Sequence, residues 1–385
     1  MRRVSSEYVL SRGHHTEAVH GGLDPSELAH YGVAIDTVLD FSSNLLPFGP
    51  APSVRRAVES APLDRYPDRD CNELRDAIAN RYGVDREALL VGNGCSELIH
   101  LVASEFVDSH RHTLIVGPTF TEYQRATRIA GGTVRFVTAE ANDGFAVDVD
   151  VIDQAVSSQT SPKVVWICNP NNPTGQSVAK TDLVDLIQRH PQVVFVVDES
   201  YIEFAENTES LLDTEHENLV VLRSMTKAYC IAGLRLGFAR LPENLHRTLR
   251  GRRIPWSVNN IAQAAGVAAI QDVSYYREAM ARLQDAKRDF LCELTVRSLT
   301  PLASDTGFFL LPVNNASQIR KQLITQGMVV RDCHSFGLDD FLRIAVLAPP
   351  HNRRLVEALT RLLSKSASPT LTPSPLPSLR DPRIQ

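Results

Sequence analysis

Five short apolar runs, separated by helix-like segments, constrain the fold of this chain more than any other feature of its sequence. Each run ends abruptly in small or polar residues, and the runs are ALLVGNG, TLIVGP, KVVWICNP, QVVFVVDES and NLVVLRSMTK. Continuous apolar runs joined by helical segments are typical of parallel strands that are buried on both faces. The sequence therefore predicts an α/β fold with a mainly parallel sheet flanked by helices.

The pattern changes after Gly251, where apolar residues recur at helical spacing and short strand-like pieces follow, namely GFFLLPV, GMVVRD and LRIAVL. This order predicts a smaller α+β domain reached through a long helix. We expect an N-terminal arm and loop over residues 1–50, a large domain over 51–250 and a small domain over 251–365. Residues 366–385 are rich in Pro and Ser, which predicts a disordered tail.

Composition excludes several classes of function. The 385 residues carry a formal net charge of −5 without a basic block, so nothing indicates binding to nucleic acid or to an anionic membrane. The six cysteines form no Cys-x-x-Cys pair and no cluster with histidines, so no metal site is expected. Their wide spacing favours a cytoplasmic protein with reduced cysteines. No signal-peptide core or membrane-spanning segment is expected.

Polar residues follow each of the five apolar runs. In open α/β sheets the ligand crevice lies beyond the carboxyl ends of the strands, so these residues could meet at one site. The alternative is that Gly, Asn, Pro and Asp end strands for purely structural reasons. Convergence of many such ends is the first argument for an enzyme.

Asp198 follows the run VVFVV, so its carboxylate begins at the end of a buried strand and requires a partner. Tyr201 would place a phenol near the same edge. The alternative for Asp198 is a structural cap of the next turn. In the first run, GNG precedes an amphipathic helix starting near Cys95, whose free N–H groups suit a phosphate, although an ordinary turn would look the same.

Lys227 lies just past a predicted strand, close in sequence to the hydroxyls of Ser224 and Thr226, with Arg235 downstream. Burial and cationic neighbours lower the pKa of a lysine and make it a Schiff-base nucleophile. A surface lysine is the alternative, but it fits poorly with the flanking Tyr, Cys, Ile, Ala and Leu. Pyridoxal 5'-phosphate requires such a lysine, a carboxylate at its ring nitrogen and a phosphate pocket, so it explains all these residues at once.

With these residues in view, the sequence resembles the fold-type I pyridoxal-phosphate enzymes of the aminotransferase class I/II family. The resemblance implies that the mainly parallel sheet of the large domain has seven strands. The motifs RYPD, GNG, NPNNPTG, DESYIEF, SMTK and GLRLGF occur in the family's order. The resemblance implies that Lys227 forms the Schiff base and that Asp198 pairs with the pyridinium nitrogen. It also implies hydrogen bonds to the ring hydroxyl (Tyr201, Asn172), a ring-stacking aromatic (Tyr123) and a phosphate shell (Gly94, Cys95, Ser96, Ser224, Thr226, Arg235).

Tyr66, from RYPD, is expected to reach the phosphate of a neighbouring subunit, which implies a homodimer with shared active sites. By the same resemblance Arg343 should bind the anionic end of the substrate and Arg331 should assist, because a guanidinium can grip an anion with two parallel hydrogen bonds. Surface arginines on strand edges are the alternative. The expected substrate contacts in the arm and elsewhere are His20, Gly21, Gly22, Asn44 and Asn172.

Within the family the sequence is most similar to two groups that handle phosphorylated substrates, the threonine-phosphate decarboxylases and the histidinol-phosphate aminotransferases. The phrases HGG, LDFSSN and PWSVN favour the decarboxylases, so decarboxylation of O-phospho-L-threonine to 1-amino-2-propanol phosphate, for the cobalamin side arm, is the first expectation. Departures at Leu23 and at Leu45-Leu46 concern substrate identity more than cofactor binding. The alternatives are transamination with 2-oxoglutarate and a non-catalytic relative, which intact Lys227 and Asp198 disfavour.

Overall fold

The computed structural model describes residues 21–366, with side chains described as far as residue 364. His20 and the predicted tail after residue 366 lie outside the described residues. In chain order, the strands of this part are β1 Leu39–Asp40, β2 Leu89–Gly92, β3 Thr113–Gly117, β4 Val134–Thr138, β5 Val164–Cys168, β6 Val194–Asp198, β7 Leu219–Ser224, β8 Gly237–Arg240, β9 Phe308–Pro312, β10 Met328–Val329, β11 Arg331–Cys333 and β12 Leu338–Ala345.

The α-helices of the same part surround these strands. They are α1 Pro25–His30, α2 Pro52–Ser60, α3 Asn72–Tyr82, α4 Gly94–Phe106, α5 Glu122–Ile129, α6 Val149–Val156, α7 Lys180–Arg189, α8 Glu243–Arg252, α9 Asn260–Gln271, α10 Val273–Val296, α11 Ala316–Ile324 and α12 Pro349–Ser366.

A seven-stranded sheet forms the centre of the protein, with strand order β2-β8-β7-β6-β5-β3-β4. Only β8 within this sheet runs antiparallel to its neighbours, which are β2 and β7. The five apolar runs form β2, β3, β5, β6 and β7, as the sequence predicts. The sequence did not reveal β4, an edge strand whose residues are exposed or half-buried, or β8, which begins with the last two residues of the motif GLRLGF.

Both faces of the sheet are covered, which explains why its strands are apolar throughout. On β6, Phe195 and Val197 join one hydrophobic core, while Val194 and Val196 join the core on the opposite face. This alternation follows from the two-residue period of a strand. The sheet is therefore a rigid platform, and the ends of its central strands are fixed from both sides.

The C-terminal part contains a smaller antiparallel sheet with strand order β11-β12-β9. The arm joins this part through β1, which pairs in parallel with β10. The arm is not wholly extended, because Asp24 caps a short helix, α1, with Pro25 at its start. The domain boundary near residue 250 stays a prediction. No helix within residues 21–366 is long and apolar enough to span a membrane.

Candidate active site

Asp198 is the last residue of β6, and its side chain is buried beneath the crevice at the carboxyl end of the sheet. Its Oδ1 accepts hydrogen bonds from the backbone N–H (2.9 Å) and the hydroxyl (2.6 Å) of Ser200. Its Oδ2 accepts one from the Tyr123 hydroxyl at 2.7 Å. Burial raises the pKa of the Asp198 carboxyl, while these hydrogen bonds and the charge of Lys227 oppose that effect. A cationic partner would hold it as a carboxylate.

Lys227 follows β7, which ends at Ser224, and it lies half-buried at the same edge of the sheet. Burial lowers the pKa of its amine to about 8, and the positive charges of Arg343 and Arg235 act in the same direction. At this pKa about one tenth of the amine is neutral at pH 7, and the neutral form is the one that acts as a nucleophile or a base. The sequence-based prediction of a reactive lysine therefore has a physical basis in the fold.

A cradle for an anion lies where α4 begins. A Cβ atom on Gly94, which has a φ of +75°, would lie 2.9 Å from Nη2 of Arg235. A Cβ on Gly237 would lie 2.9 Å from the backbone nitrogen of Cys95. Gly237 is also the strand partner of Ser224. The two glycines thus allow the start of α4, the Arg235 guanidinium and the end of β7 to approach closely.

The remaining predicted phosphate ligands lie around this cradle. The hydroxyls of Ser224 and Thr226 are 2.7 Å apart. Ser96 lies half-buried in the first turn of α4. The sulfur of Cys95 lies 3.7 Å from the Ser200 hydroxyl, and burial, followed by the charge of Asp198, raises the pKa of the Cys95 thiol. Free N–H groups, hydroxyls and a guanidinium in one place suit a phosphate group.

Tyr123 lies on α5 and is fully buried. Its ring is nearly parallel to that of Trp166, with the ring centroids 5.1 Å apart and an interplanar angle of 10°. Its hydroxyl donates to Asp198. The structure thus places Tyr123 at the site, while its predicted role of stacking on the cofactor ring stays a prediction. The sequence gives no sign of a role for Trp166, because this residue lies within the apolar strand β5.

Tyr201 contacts the N-terminal arm, and Asn172 contacts the smaller sheet. The Asn44 amide donates to the Tyr201 hydroxyl at 3.3 Å, and burial raises the pKa of that phenol to about 12. Asn172 accepts a hydrogen bond through its side-chain oxygen from Nη1 of Arg343. The predicted ligands from the arm, from the segments after β5 and β6, and from β12 therefore lie close together.

Arg343 is a buried guanidinium on β12, and the arm lies directly against it. Its Nη2 donates to the carbonyl oxygen of Ser42 at 2.6 Å. A Cβ on Gly21 would lie 2.9 Å from the same Nη2 and 2.7 Å from the Ser42 carbonyl. The backbone N–H of Gly22 donates to the Ser42 hydroxyl at 3.1 Å. Gly21, Gly22 and Arg343 thus form one corner of the crevice.

Arg331 is the strand partner of Arg343 across β11 and β12, and it donates to the Ser335 hydroxyl at 2.6 Å. Burial lowers the pKa of the Arg331 guanidinium, and the charge of Arg343 lowers it further. Burial likewise lowers the pKa of Arg343. An anion bound between or beside these two buried guanidinium groups would offset the repulsion between their positive charges.

Tyr66 does not enter the site of its own chain. It lies between α2 and α3 with 79% of its surface exposed, and its ring stacks on Trp256 at 4.9 Å. Trp256 is itself 48% exposed and has a φ of +58°. The predicted contact of Tyr66 with a neighbouring subunit stays a prediction.

The side chains present fit pyridoxal phosphate. The protonated ring nitrogen of that cofactor would supply the cationic partner that buried Asp198 requires, and its aldehyde suits the amine of Lys227. The cradle at the start of α4 suits its phosphate. Within the described residues, Oδ1 of Asn44 and Nε of Arg343 have no hydrogen-bond partner, so polar atoms remain available on the substrate side.

The chain matches a family model described as "Aminotransferase class I and II" over residues 36–362. It is 32% identical over 348 residues to a protein named histidinol-phosphate aminotransferase 2 from Carboxydothermus hydrogenoformans, covering 88% of this chain and 95% of that protein. It is also 32% identical over 338 residues to a histidinol-phosphate aminotransferase from a Geobacillus species, covering 85% and 91% of the two chains.

Solved structures show the same architecture. Histidinol-phosphate aminotransferase from Sinorhizobium meliloti, in complex with pyridoxal-5'-phosphate, superposes with a TM-score of 0.82 at 23% identity, covering 90% of this chain and 96% of that one. L-threonine-O-3-phosphate decarboxylase from Porphyromonas gingivalis superposes with a TM-score of 0.74 at 27% identity, covering 84% and 99%. These similarities confirm the predicted fold class.

Proposed function

The chain belongs to the aminotransferase class I and II family, and from this premise we propose that it transfers the amino group of histidinol phosphate to 2-oxoglutarate. Its cofactor is pyridoxal 5'-phosphate. The observation that carries the proposal is the proximity of the Lys227 amine to Asp198 and Arg343, whose charges both act on it. The choice of reaction is supported by the curated relatives that are 32% identical over most of this chain. They favour the aminotransferase over the decarboxylase that the sequence motifs placed first.

The cofactor would be held at both ends. Asp198 would bind the ring nitrogen and Lys227 the aldehyde carbon, while the N–H groups at the start of α4 and the Arg235 guanidinium would bind the phosphate. Once bound, the cofactor supplies an electron sink for negative charge at the substrate α-carbon. The charge of Asp198 would favour the protonated form of the ring nitrogen.

Lys227 would move the proton of the reaction. Its pKa of about 8 allows the neutral amine to remove a proton near neutral pH and to return it to another carbon. Arg343, with Arg331 beside it, would hold the anionic end of each substrate, which is a phosphate in histidinol phosphate and a carboxylate in 2-oxoglutarate. This grip decides which bond of the α-carbon is presented for cleavage.

Incubation of the full-length protein and its cofactor with histidinol phosphate and 2-oxoglutarate tests the proposal. Glutamate should form at a rate that depends on both substrates, and Lys227→Ala should abolish it. If folded protein with bound cofactor forms no glutamate under these conditions, this aminotransferase function is excluded.

The second candidate is the decarboxylation of O-phospho-L-threonine to 1-amino-2-propanol phosphate. It is favoured by the arm, where Gly21 and Gly22 of the HGG phrase lie against Arg343 and Ser42, and by the 27% identity to a solved decarboxylase. Release of carbon dioxide from O-phospho-L-threonine without any keto acid would support it. If no carbon dioxide is released from O-phospho-L-threonine, the aminotransferase is the remaining candidate.

A homodimer with shared active sites is also part of the proposal. Tyr66 and Trp256 form an exposed aromatic pair, and Leu63 and Ile254 expose 82% and 68% of their surfaces in the same two segments. Exposed apolar groups of this kind favour an interface. Light scattering on the purified protein should give twice the chain mass, and Tyr66→Ala should weaken cofactor binding. A cytoplasmic location stays a prediction.

A further inference from the structure

A buried polar cluster that no proposed reaction step uses lies beside the active site. It comprises Arg223, Glu199, Glu203, Tyr82 and Tyr229. All but Tyr82 lie one or two residues away in the chain from a proposed cofactor ligand, namely Ser224, Asp198, Tyr201 and Lys227. Arg223 and Ser224 are consecutive residues of β7, so their side chains point to opposite faces of the sheet, and β7 carries the site on one face and the centre of this cluster on the other.

Arg223 is the centre of the cluster. Its side chain is buried near the end of β7, and its Nη1 donates to Glu199 at 3.2 Å and to the Ser210 hydroxyl at 3.1 Å. Its Nη2 donates to Glu203. The guanidinium carbon lies 4.9 Å from the centre of the Tyr82 ring. One guanidinium thus ties β7 to the residues that follow β6.

Glu199 directly follows Asp198 and is fully buried. It accepts hydrogen bonds from Arg223, from the Ser210 hydroxyl (2.5 Å) and from the backbone N–H of Leu211 (2.6 Å). Its own N–H donates to the Leu222 carbonyl on β7 at 2.8 Å. Burial raises the pKa of the Glu199 carboxyl, and Arg223 opposes this effect. The hydrogen bonds of Glu199 therefore hold the adjacent Asp198 backbone in position against β7.

The two tyrosines extend the cluster to the loop that contains Lys227. The Tyr82 hydroxyl donates to Glu203 at 2.7 Å and lies 3.1 Å from the Tyr229 hydroxyl. The carbonyl of Tyr229 accepts a hydrogen bond from Tyr276 at 3.2 Å. Both ends of the Tyr229 residue are thereby held, two positions after Lys227.

We propose that this cluster, centred on Arg223, is a positioning device that holds Asp198 and Lys227 at the separation the cofactor requires. The inference rests on the proposed cofactor roles of these two residues. A buried arginine on β7 that binds two carboxylates of the segment after β6 fixes the two strand ends relative to each other through its planar fork, which a lysine cannot reproduce. Small displacements of catalytic groups have large effects on rate, so precise spacing at this edge has functional value.

Arg240 provides a matched control. It is also a buried arginine of the same sheet, on β8, but it is the strand partner of Val221 and lies away from the crevice. It contacts the Thr214 carbonyl and Glu215, which is 85% exposed on its side chain. Loss of its hydrogen bonds should affect stability without a specific effect on the cofactor.

The test compares Arg223→Lys with Arg240→Lys. Each apoenzyme is titrated with pyridoxal phosphate, its melting temperature is recorded, and kcat and KM are measured after loading. Arg223→Lys should raise the cofactor Kd about 10-fold and lower kcat about 10- to 100-fold with little change in KM. Arg240→Lys should leave the cofactor Kd within about twofold of the wild type. It should lower the melting temperature about as much as Arg223→Lys does.

A cofactor Kd and a kcat for Arg223→Lys that match those of Arg240→Lys would overturn the inference. If Arg223→Lys does not fold, Tyr229→Phe takes its place, because it removes one hydroxyl and should still raise the cofactor Kd about threefold. An unchanged Kd in that variant would equally overturn the inference. Wild-type protein whose cofactor absorbance is the same as in Lys227→Ala would instead refute the proposed function.

Discussion

The cofactor side and the substrate side of the crevice are built in different ways. Asp198, Ser224 and Lys227 lie at the ends of two adjacent strands, β6 and β7, of one rigid sheet. Arg343, by contrast, comes from the small sheet and is held by Ser42 and Asn172, which are 301 and 171 residues away in the chain. The first region is set by local sequence and the second by long-range packing. The positions of the residues expected to bind the cofactor therefore depend on fewer distant contacts than the position of Arg343, which is expected to bind the substrate.

Lys227→Ala tests the cofactor side and should have the largest effect. Loss of the amine removes both the attachment point of the cofactor and the base, so kcat should fall by about 10⁴-fold. The loss should be the same for every accepted substrate. Steady-state rates with histidinol phosphate and with O-phospho-L-threonine measure this, and a loss confined to one substrate would contradict the assignment.

The pKa of Lys227 gives a second test of the same region. Burial and two nearby arginines lower the amine pKa to about 8, so the neutral, reactive form increases as the pH rises through about 8. Near pH 7 the neutral fraction of this amine should be about 200-fold that of an ordinary lysine of pKa about 10.4, and its reaction with an aldehyde should be correspondingly faster. The rate of cofactor attachment to the apoenzyme, measured from pH 6 to 10, should reach half its maximum near pH 8. A midpoint above pH 10 would contradict this.

These two regions also differ in how far the sequence could predict them. The runs that form β6 and β7 are continuous and apolar, so their ends, and hence Asp198 and Lys227, follow from pattern alone. The edge strand β4 is half-exposed and gave no such signal. The stacking of Tyr123 on Trp166 and the contact of Gly21 with Arg343 depend on packing between distant segments, which no local pattern encodes.

Arg343→Lys tests the substrate side. A lysine keeps the charge but cannot make the paired hydrogen bonds of a guanidinium, so KM for the substrate should rise about 10- to 100-fold. The visible absorbance of the bound cofactor should remain as in the wild type. Arg331→Lys is the matched control, with the same change one strand away and a smaller expected effect on KM. A loss of cofactor absorbance in Arg343→Lys would mean that the two regions are not separable.

Gly21→Ala should have the smallest effect and separates the arm from Arg343. An added Cβ would lie 2.7 Å from the Ser42 carbonyl and 2.9 Å from Nη2 of Arg343, so the arm or the guanidinium must move. We expect KM to rise about 3- to 10-fold with kcat nearly unchanged, because the cofactor side does not depend on the arm. Gly251→Ala is the control, since a Cβ there would meet no atom within 4 Å. If Gly21→Ala lowered kcat while leaving KM unchanged, the arm would act on the chemical step, and the division between the two regions would be wrong.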